Sequence, residues 1–465
     1  MIDTVFREYD IRGKVGSDLN LNEVHALVKA IAYYFVQENP EVKTVAVGMD
    51  GRTHSPAIKE LVCDALVASG LDVVFIGMCT SPVLYFSLFN LKVDAGLMIT
   101  ASHNPKEYNG LKICLGKDSV WGVQIKEICA LFKQRKSFRA RVEGMYREHN
   151  MIAPYVDWLV RNFPHLMGMD LSVVIDCGNG AAGTVLPSLI KKMHWSKVNM
   201  LYAEVDGTYP NHEADPVVEK NMLDVKEILA TTPTQLGIGL DGDCDRMVPM
   251  TKKGYLVPGD KLLALFSKYV LQENPGAGIV FDVKSSAALV ELLENWKAKP
   301  YMAPSGHSII KTYMKKHNAL LGGELSCHFF FSDRYFGYDD GIYAAMRLIE
   351  ILVANKSTLE DEISMFPQKC SSPEYRLKCS EEQKSKIVER VKGLFAQRTD
   401  VTMITIDGVR ASMPYGWGIV RASNTNPEIC LRFESDSESG LHSVKQDFLS
   451  AMQPFFSAAV LQMVK

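Results

Sequence analysis

None of the ten cysteines has a partner in C-x-x-C spacing, which argues against a thioredoxin-type redox pair and against zinc ligation. Scattered thiols in a chain of 465 residues read instead as reduced, mostly buried side chains of a cytoplasmic protein. Long apolar runs are missing too. The longest uncharged stretch, Val73 to Leu91, is cut by Gly77-Met78-Cys79-Thr80-Ser81-Pro82 and reads as a strand, a turn and a new segment, with no membrane span. The opening residues, MIDTVFREYDIRG, carry Asp3, Arg7 and Glu8 and lack the basic and apolar regions of a signal peptide. No charge of one sign dominates: 51 Lys and Arg face 54 Asp and Glu, a net charge of −3. That balance argues against a nucleic-acid coat or an anionic-membrane binder. Gly (33) and Pro (20) are near ordinary usage, so neither collagen-like repeats nor extended disorder is expected.

What is present is enough chain for roughly three domains, or four small ones, at about 150 residues each. Three segments share one plan of apolar strand, Gly/Ser turn and helix: TVAVGMDGRTHSPAIKELVCDALVASG, LSVVIDCGNGAAGTVLPSLIKKM and GIVFDVKSSAALVELLENW. Their strands end at Asp50, Asp176 and Asp282, which predicts three tandem α/β units. In the first, Ser55 is expected to cap the helix, with Pro56 at its first position and Gly70 at its end. An amphipathic helix with Val24, Leu27, Val28, Ile31 and Phe35 on one face precedes it, and Asn20 with Glu23 resembles a capping box. After a polar stretch at 369–373 the pattern changes to a helix, strand-like runs at Met403–Ile406 and Ile429–Phe433, and a final helix, which predicts a smaller α+β unit.

Four clusters can carry chemistry. Thr100-Ala101-Ser102-His103-Asn104-Pro105 follows the strand-like run Ala95 to Ile99, so Ser102 falls where open α/β sheets place ligand loops. Serine is a weak nucleophile without help, and His103 and Lys112 are near enough in sequence to assist. Asp241-Gly242-Asp243-Cys244-Asp245-Arg246 follows the apolar run Leu236 to Leu240. Three carboxylates so spaced repel unless a cation sits among them, and an all-oxygen set favours Mg²⁺ over Zn²⁺. In Gly322-Gly323-Glu324-Leu325-Ser326-Cys327-His328, an extended backbone would turn Glu324, Ser326 and His328 to one side, suited to vicinal sugar hydroxyls. Arg421-Ala422-Ser423-Asn424-Thr425-Asn426-Pro427 gathers a guanidinium, hydroxyls and amides on a turn, suited to a phosphate dianion. A competing signal is Gly178-Asn179-Gly180-Ala181-Ala182-Gly183, which fits G-x-G-x-x-G, with Glu204 downstream. Read as a dinucleotide turn, it would leave the Asp triplet and the anion loop without a role. Phosphoryl transfer explains both.

FREYDIRG, TASHNP with YNGLKI, DGDCDR, GGELSCH and RASNTNP together resemble, in that order, the motifs of the α-D-phosphohexomutase superfamily, from residue 6 to 427. They are most similar to the bacterial phosphomannomutase/phosphoglucomutases. The resemblance implies three α/β domains with mixed sheets (1–148, 149–253, 254–368) and a smaller C-terminal α+β domain (369–465) around a central cleft. It implies an isomerase, a cytoplasmic monomer acting on sugar phosphates, that moves a phosphoryl group between the 1- and 6-positions of mannose and glucose. The route runs through a phosphoserine and a hexose 1,6-bisphosphate, which also serves as activator, with Mg²⁺ as cofactor. By position, Ser102 matches the phosphoryl carrier and, with Asp241, Asp243 and Asp245, the metal set. Glu324 and Ser326 match the sugar contacts. Arg421, Ser423, Asn424 and Thr425 match the site of the phosphate not being transferred. Tyr9, Arg12, Lys112, Arg246, Lys284, His307 and His328 match cleft residues, with proton-transfer roles drawn from Lys112, His307, His328 and Arg12. Cys327 stands where the family usually has Gly, which matters if that position has positive φ.

Overall fold

The computed structural model describes residues 1–138, 140–423 and 427–464. They form two compact units, each discontinuous in the chain: residues 1–269 with 326–363, and residues 270–325 with 364–465.

The first unit holds a mixed sheet whose strands run in the order Ile11–Lys14, Tyr108–Leu115, Ala95–Ile99, Thr44–Met49, Asp72–Met78 and Tyr146–Glu148, with a short strand at Asp118–Ser119 beside Tyr108–Leu115. Ala95–Ile99 is parallel to Thr44–Met49 and antiparallel to Tyr108–Leu115. Burial on both faces explains its uninterrupted apolar run, AGLMI. The helix Leu21–Glu38 buries Val24, Leu27, Val28, Ile31 and Phe35, as its periodicity predicts. Asn20 caps it by accepting from the amide of Asn22. The reciprocal half of a capping box is missing, because Glu23 pairs with the N-terminal ammonium and with Arg135. The helix Ser55–Ala68 also starts otherwise than its sequence suggests: Ser55 lies inside it and donates to Asp50 Oδ1 at 2.6 Å.

The same unit holds a second sheet in the order Met247–Met250, Leu236–Leu240, Val173–Asp176, Val198–Leu201, with only the first pair antiparallel. The G-x-G-x-x-G turn after Val173–Asp176 is filled by protein backbone. A Cβ on Gly180 would stand 2.8 Å from the Gly242 carbonyl oxygen, and one on Gly183 would stand 1.9 Å from that of Ala203. These glycines permit close backbone approach. The Ala181 amide donates a hydrogen bond of 2.9 Å to the Gly242 carbonyl.

In the second unit, Gly278–Asp282 lies between the parallel strands Lys299–Ala303 and Leu321–Gly323. An antiparallel sheet follows, in the order Cys370–Ser371, Glu428–Ser435, Gly416–Ala422, Val409–Met413, Thr402–Ile404, with Tyr375–Lys378 also on Glu428–Ser435. The helices Glu381–Phe395 and Glu438–Met452 share one apolar core with this sheet, through Ile387, Val391, Val444 and Phe448. Thus among the described residues the tail has six strands where two were expected, and the supposed linker at 369–373 contributes one of them. Among the described residues no helix is long and apolar enough to cross a membrane.

Candidate active site

The strand Ala95–Ile99 delivers the Ser102 loop. Ser102 is buried and has φ of 51°, a left-handed conformation that costs a non-glycine residue on the order of 1–2 kcal/mol. Its amide donates to Thr100 Oγ1 at 2.9 Å, which fixes the turn. Its Oγ lies 2.9 Å from Asp241 Oδ2 and 3.1 Å from His103 Nδ1. A hydroxyl has one proton to give. With that proton donated to Asp241 Oδ2 in a hydrogen bond, the His103 Nδ1–H donates to Oγ.

Asp241, Asp243 and Asp245 follow the end of Leu236–Leu240 and are all buried, with one oxygen of each within 4.8 Å of the others. Lys112, opposite Met98 on the return strand, pairs with Asp243 and lies 2.5 Å from Asp245 Oδ2. Ser81 donates its hydroxyl to Asp243 Oδ2 at 2.5 Å and its amide to the Asp243 main-chain carbonyl at 2.9 Å. Burial, then the charges of Asp245 and Asp243, hold Asp241 well above the usual carboxylate range. Burial acts the same way on Asp243, but Lys112 and Ser81 outweigh it and hold that carboxyl below the usual range. Burial draws the Lys112 ammonium down, and Asp243 and Asp245 more than restore it.

The three carboxylates fit a hard divalent cation. One ammonium, paired with two of the three buried carboxylates, leaves negative charge uncompensated in the cluster. Asp243 Oδ1 and Asp245 Oδ1 are buried with no hydrogen-bond donor, as ligand oxygens would be.

Around the triad, the Arg246 amide donates to Asp241 Oδ1 at 3.1 Å and its Nε–H donates to His328 Nε2 at 2.9 Å. Accepting there leaves the His328 proton on Nδ1, which faces Asp339 Oδ2 at 3.2 Å and Asp245 Oδ1 at 3.6 Å. Arg12 donates to Asn104 Oδ1 at 2.5 Å and pairs with Asp10. Tyr9 is half-buried in the bend that leads into Ile11–Lys14.

The second unit assembles another set. The Gly306 amide donates to Glu324 Oε1 at 2.8 Å. The Leu325 amide and the Ser305 hydroxyl donate to the two oxygens of Asp282 at 3.2 and 3.0 Å. Asp407 Oδ2 accepts from the Ser305 amide at 3.0 Å and from Arg421 Nε at 2.8 Å, so one carboxylate ties the Arg421 guanidinium to the Glu324 side. Lys284 lies 3.0 Å from Glu374 and 3.7 Å from Asp282. Burial would raise Glu374, but Lys284, Arg376 and Arg421 bring it down to about 2. Ser423 is held by its amide on the Glu428 carbonyl at 2.9 Å and by Lys384 on its own carbonyl at 2.8 Å. His307 opens the helix His307–His317. Asn424 and Thr425 lie outside the described residues.

The structure corrects one local expectation. Residues 325–327 turn instead of running extended, so Glu324, Ser326 and His328 are not in a row. Cys327 has φ of 66°, the left-handed value that favours glycine. Ser326 is half-buried in that turn. Sequence reasoning missed Arg52, Ser81 and Asp407. Ser81 stood in the turn that breaks the long uncharged stretch, and Arg52 and Asp407 flank glycines at turns, which was the available signal.

Four segments match the description of one family in order: phosphoglucomutase/phosphomannomutase alpha/beta/alpha domain I over residues 3–139, domain II over 153–254, domain III over 258–370, and the C-terminal domain over 374–451. A phosphomannomutase/phosphoglucomutase of Pseudomonas syringae pv. tomato is 40% identical, covering 96% of this chain and 94% of its own. This chain belongs to the phosphoglucomutase/phosphomannomutase family. It is a sugar-phosphate mutase, an isomerase, with three α/β domains and a smaller C-terminal one. Other members of the family are similarly close. A phosphoglucomutase of Neisseria gonorrhoeae is 37% identical, covering 97% of this chain and 96% of its own. The crystal structure of a phosphoglucomutase/phosphomannomutase family protein from Burkholderia thailandensis matches with a TM-score of 0.89 at 33% identity, covering 98% of each chain.

Proposed function

We propose that the protein interconverts the 1- and 6-phosphates of glucose and of mannose, with Ser102 as the phosphoryl carrier and a hexose 1,6-bisphosphate as intermediate and activator. The observation that carries the reading is the bond from Ser102 Oγ to Asp241 inside a buried three-carboxylate cluster charge-paired with Lys112. A nucleophile for phosphoryl transfer needs its oxygen beside concentrated positive charge, and this cluster is built to acquire it.

Asp241, Asp243 and Asp245, with an oxygen on Ser102, would hold Mg²⁺, which when bound offsets charge on the transferring group and on the leaving oxygen. Phosphorylated Ser102 meets the free hydroxyl of a sugar monophosphate. The bond from phosphorus to Ser102 Oγ breaks as the bond to the sugar oxygen forms, and the hydroxyl proton passes to a base drawn from His307 and His328, while the always-protonated Arg12 offsets charge. Lys112, held as an ammonium by its two carboxylates, suits charge stabilisation better than proton acceptance. The bisphosphate then turns, and the reverse step returns its other phosphate to Ser102. Glu324 and Ser326 contact sugar hydroxyls. Arg421, Ser423, Asn424 and Thr425 hold the phosphate that is not moving, with Tyr9, Arg246 and Lys284 adding contacts.

An assay with glucose 1-phosphate and mannose 1-phosphate, glucose 1,6-bisphosphate and Mg²⁺ tests this. Ser102→Ala should lose at least ~4 kcal/mol of transition-state stabilisation, roughly 10³-fold in kcat/KM. Intact-mass measurement should find one phosphoryl group on the parent and none on the variant. Near-parent turnover by Ser102→Ala overturns the assignment.

A further inference from the structure

Arg52 is among the largest fully buried side chains of the described residues, and its guanidinium works on one loop. Nη2 donates to the carbonyls of Ser102 at 2.7 Å and Asn104 at 2.6 Å. Nη1 donates to those of Pro105 at 2.8 Å and Tyr108 at 3.1 Å. Nε lies 3.2 Å from Asp50 Oδ2, the counter-charge, whose other oxygen accepts from the Arg52 amide and the Ser55 hydroxyl. Four carbonyls around one planar cation define both the position and the tilt of the loop that carries Ser102. The Ser102 carbonyl is confined from a second side: a Cβ on Gly242 would stand 2.5 Å from it, so the Asp241–Asp245 turn packs against the oxygen that Arg52 grips. The Tyr209 ring, 5.3 Å from the guanidinium carbon, covers Arg52.

We propose that Arg52 is a positioning residue for phosphoryl transfer. It touches none of the reacting atoms. It holds Ser102 in its left-handed conformation, so that Oγ stays within reach of Asp241. The proposal rests on the reading of Ser102 as phosphoryl carrier. Arg12 also touches the loop, but through the Asn104 side chain, which leaves the backbone carbonyls to Arg52.

Arg52→Lys keeps the charge but cannot span four carbonyls with one ammonium. In the full-length enzyme with Mg²⁺, its single-turnover rate constant for transfer from phosphorylated Ser102 to glucose 1-phosphate should fall by about 10²-fold, with KM changed by less than roughly 3-fold. A single-turnover rate constant does not depend on how much of the sample is folded, so simple destabilisation leaves it unmoved. Hydrogen exchange should quicken at the Asn104 and Tyr108 amides, which bond to the Ala101 and Pro105 carbonyls. A rate constant within about 3-fold of the parent, or a KM rising as much as the rate falls, overturns the proposal. If Arg52→Lys does not fold, the parent protein decides: those two amides should exchange only as slowly as the neighbouring strand, and exchange at the rate of an open surface loop overturns it. Ser102→Ala separates the underlying reading from this one. Should that variant remain active, the carrier assignment fails, while the exchange data still report whether Arg52 clamps the loop.

Discussion

Asp243 and Asp407 each serve two donors from different parts of the chain, and each makes a distinct prediction. Asp243 accepts from Lys112 and Ser81 on one oxygen and keeps the other bare. Asp243→Asn should cut turnover by at least about 10²-fold, partly recovered at high Mg²⁺, because a neutral amide cannot offset the cation's charge. Chelation of the parent should abolish activity reversibly. Full turnover in excess chelator, with metal removal verified, contradicts this. Asp407→Ala acts on binding instead. If Arg421 holds the phosphate that does not react, as proposed, losing its carboxylate should raise KM about 10-fold or more with kcat nearly constant. Steady-state kinetics on glucose 1-phosphate checks the split. Ser102 and the Asp triplet were legible because their spacing makes chemical sense in isolation. Asp407 and Arg52 were not, since a lone charged residue beside a turn glycine looks the same whether it faces water or a buried carbonyl.

The strand-end aspartates repeat at the scale of the element. Asp50 Oδ1 accepts from the amide of Arg52 at 3.0 Å and Asp176 Oδ1 from that of Gly178 at 2.7 Å, so the same side chain shapes both turns. This is why the strand–turn–helix plan could be read from the residues alone. Asp176 has a further partner in His212, whose Nε2 lies 3.0 Å from Oδ2 while Nδ1 lies 2.9 Å from the Glu213 carbonyl. Both partners are acceptors, which only the imidazolium satisfies. Burial lowers its pKa, but the bonds to Asp176 and Glu213 outweigh it and raise the pKa above the ordinary value. A raised folded-state pKa adds stability below the unfolded value of about 6.5 and loses it as pH climbs through the folded value. His212→Gln should therefore lower Tm more at about pH 5.5 than at about pH 8.5. Equal losses at both remove the imidazolium from the account. The C-terminal strands were harder to see. Val409–Met413 carries a buried Arg410, which breaks the apolar pattern, and the guanidinium lies 3.5 Å from the centre of the Trp417 ring. Tertiary stacking permits that charge, and no local signal announces it.

The whole molecule sets the expectation for substrate choice. On the proposed route a bisphosphate is held in two orientations, with C1 and C6 exchanged, and is best gripped at hydroxyls near the axis of that exchange, at positions 3 and 4. Glucose and mannose differ only at position 2. Discrimination between glucose 1-phosphate and mannose 1-phosphate should be on the order of 1–2 kcal/mol, about 5–30-fold in kcat/KM, with Glu324→Ala harming both alike. A ratio above ~10³ would mean that position 2 is read by a residue not considered above.

The same scale bears on modularity. Arg410 donates to the carbonyls of Val283 and Ser285 at 2.6 and 2.7 Å, Arg432 donates to that of Lys284, and Glu434 accepts from the Ala287 amide at 2.9 Å. The C-terminal sheet thus supplies partners for three successive carbonyls and for the start of the helix Ala287–Asn295. A chain ended near residue 368 would expose a finished-looking domain whose Lys284 turn has lost its donors. Segments that can be recognised as separate along the sequence are therefore not separable pieces for domain exchange. A graft that brings the third domain of a relative would need to bring these tail residues with it.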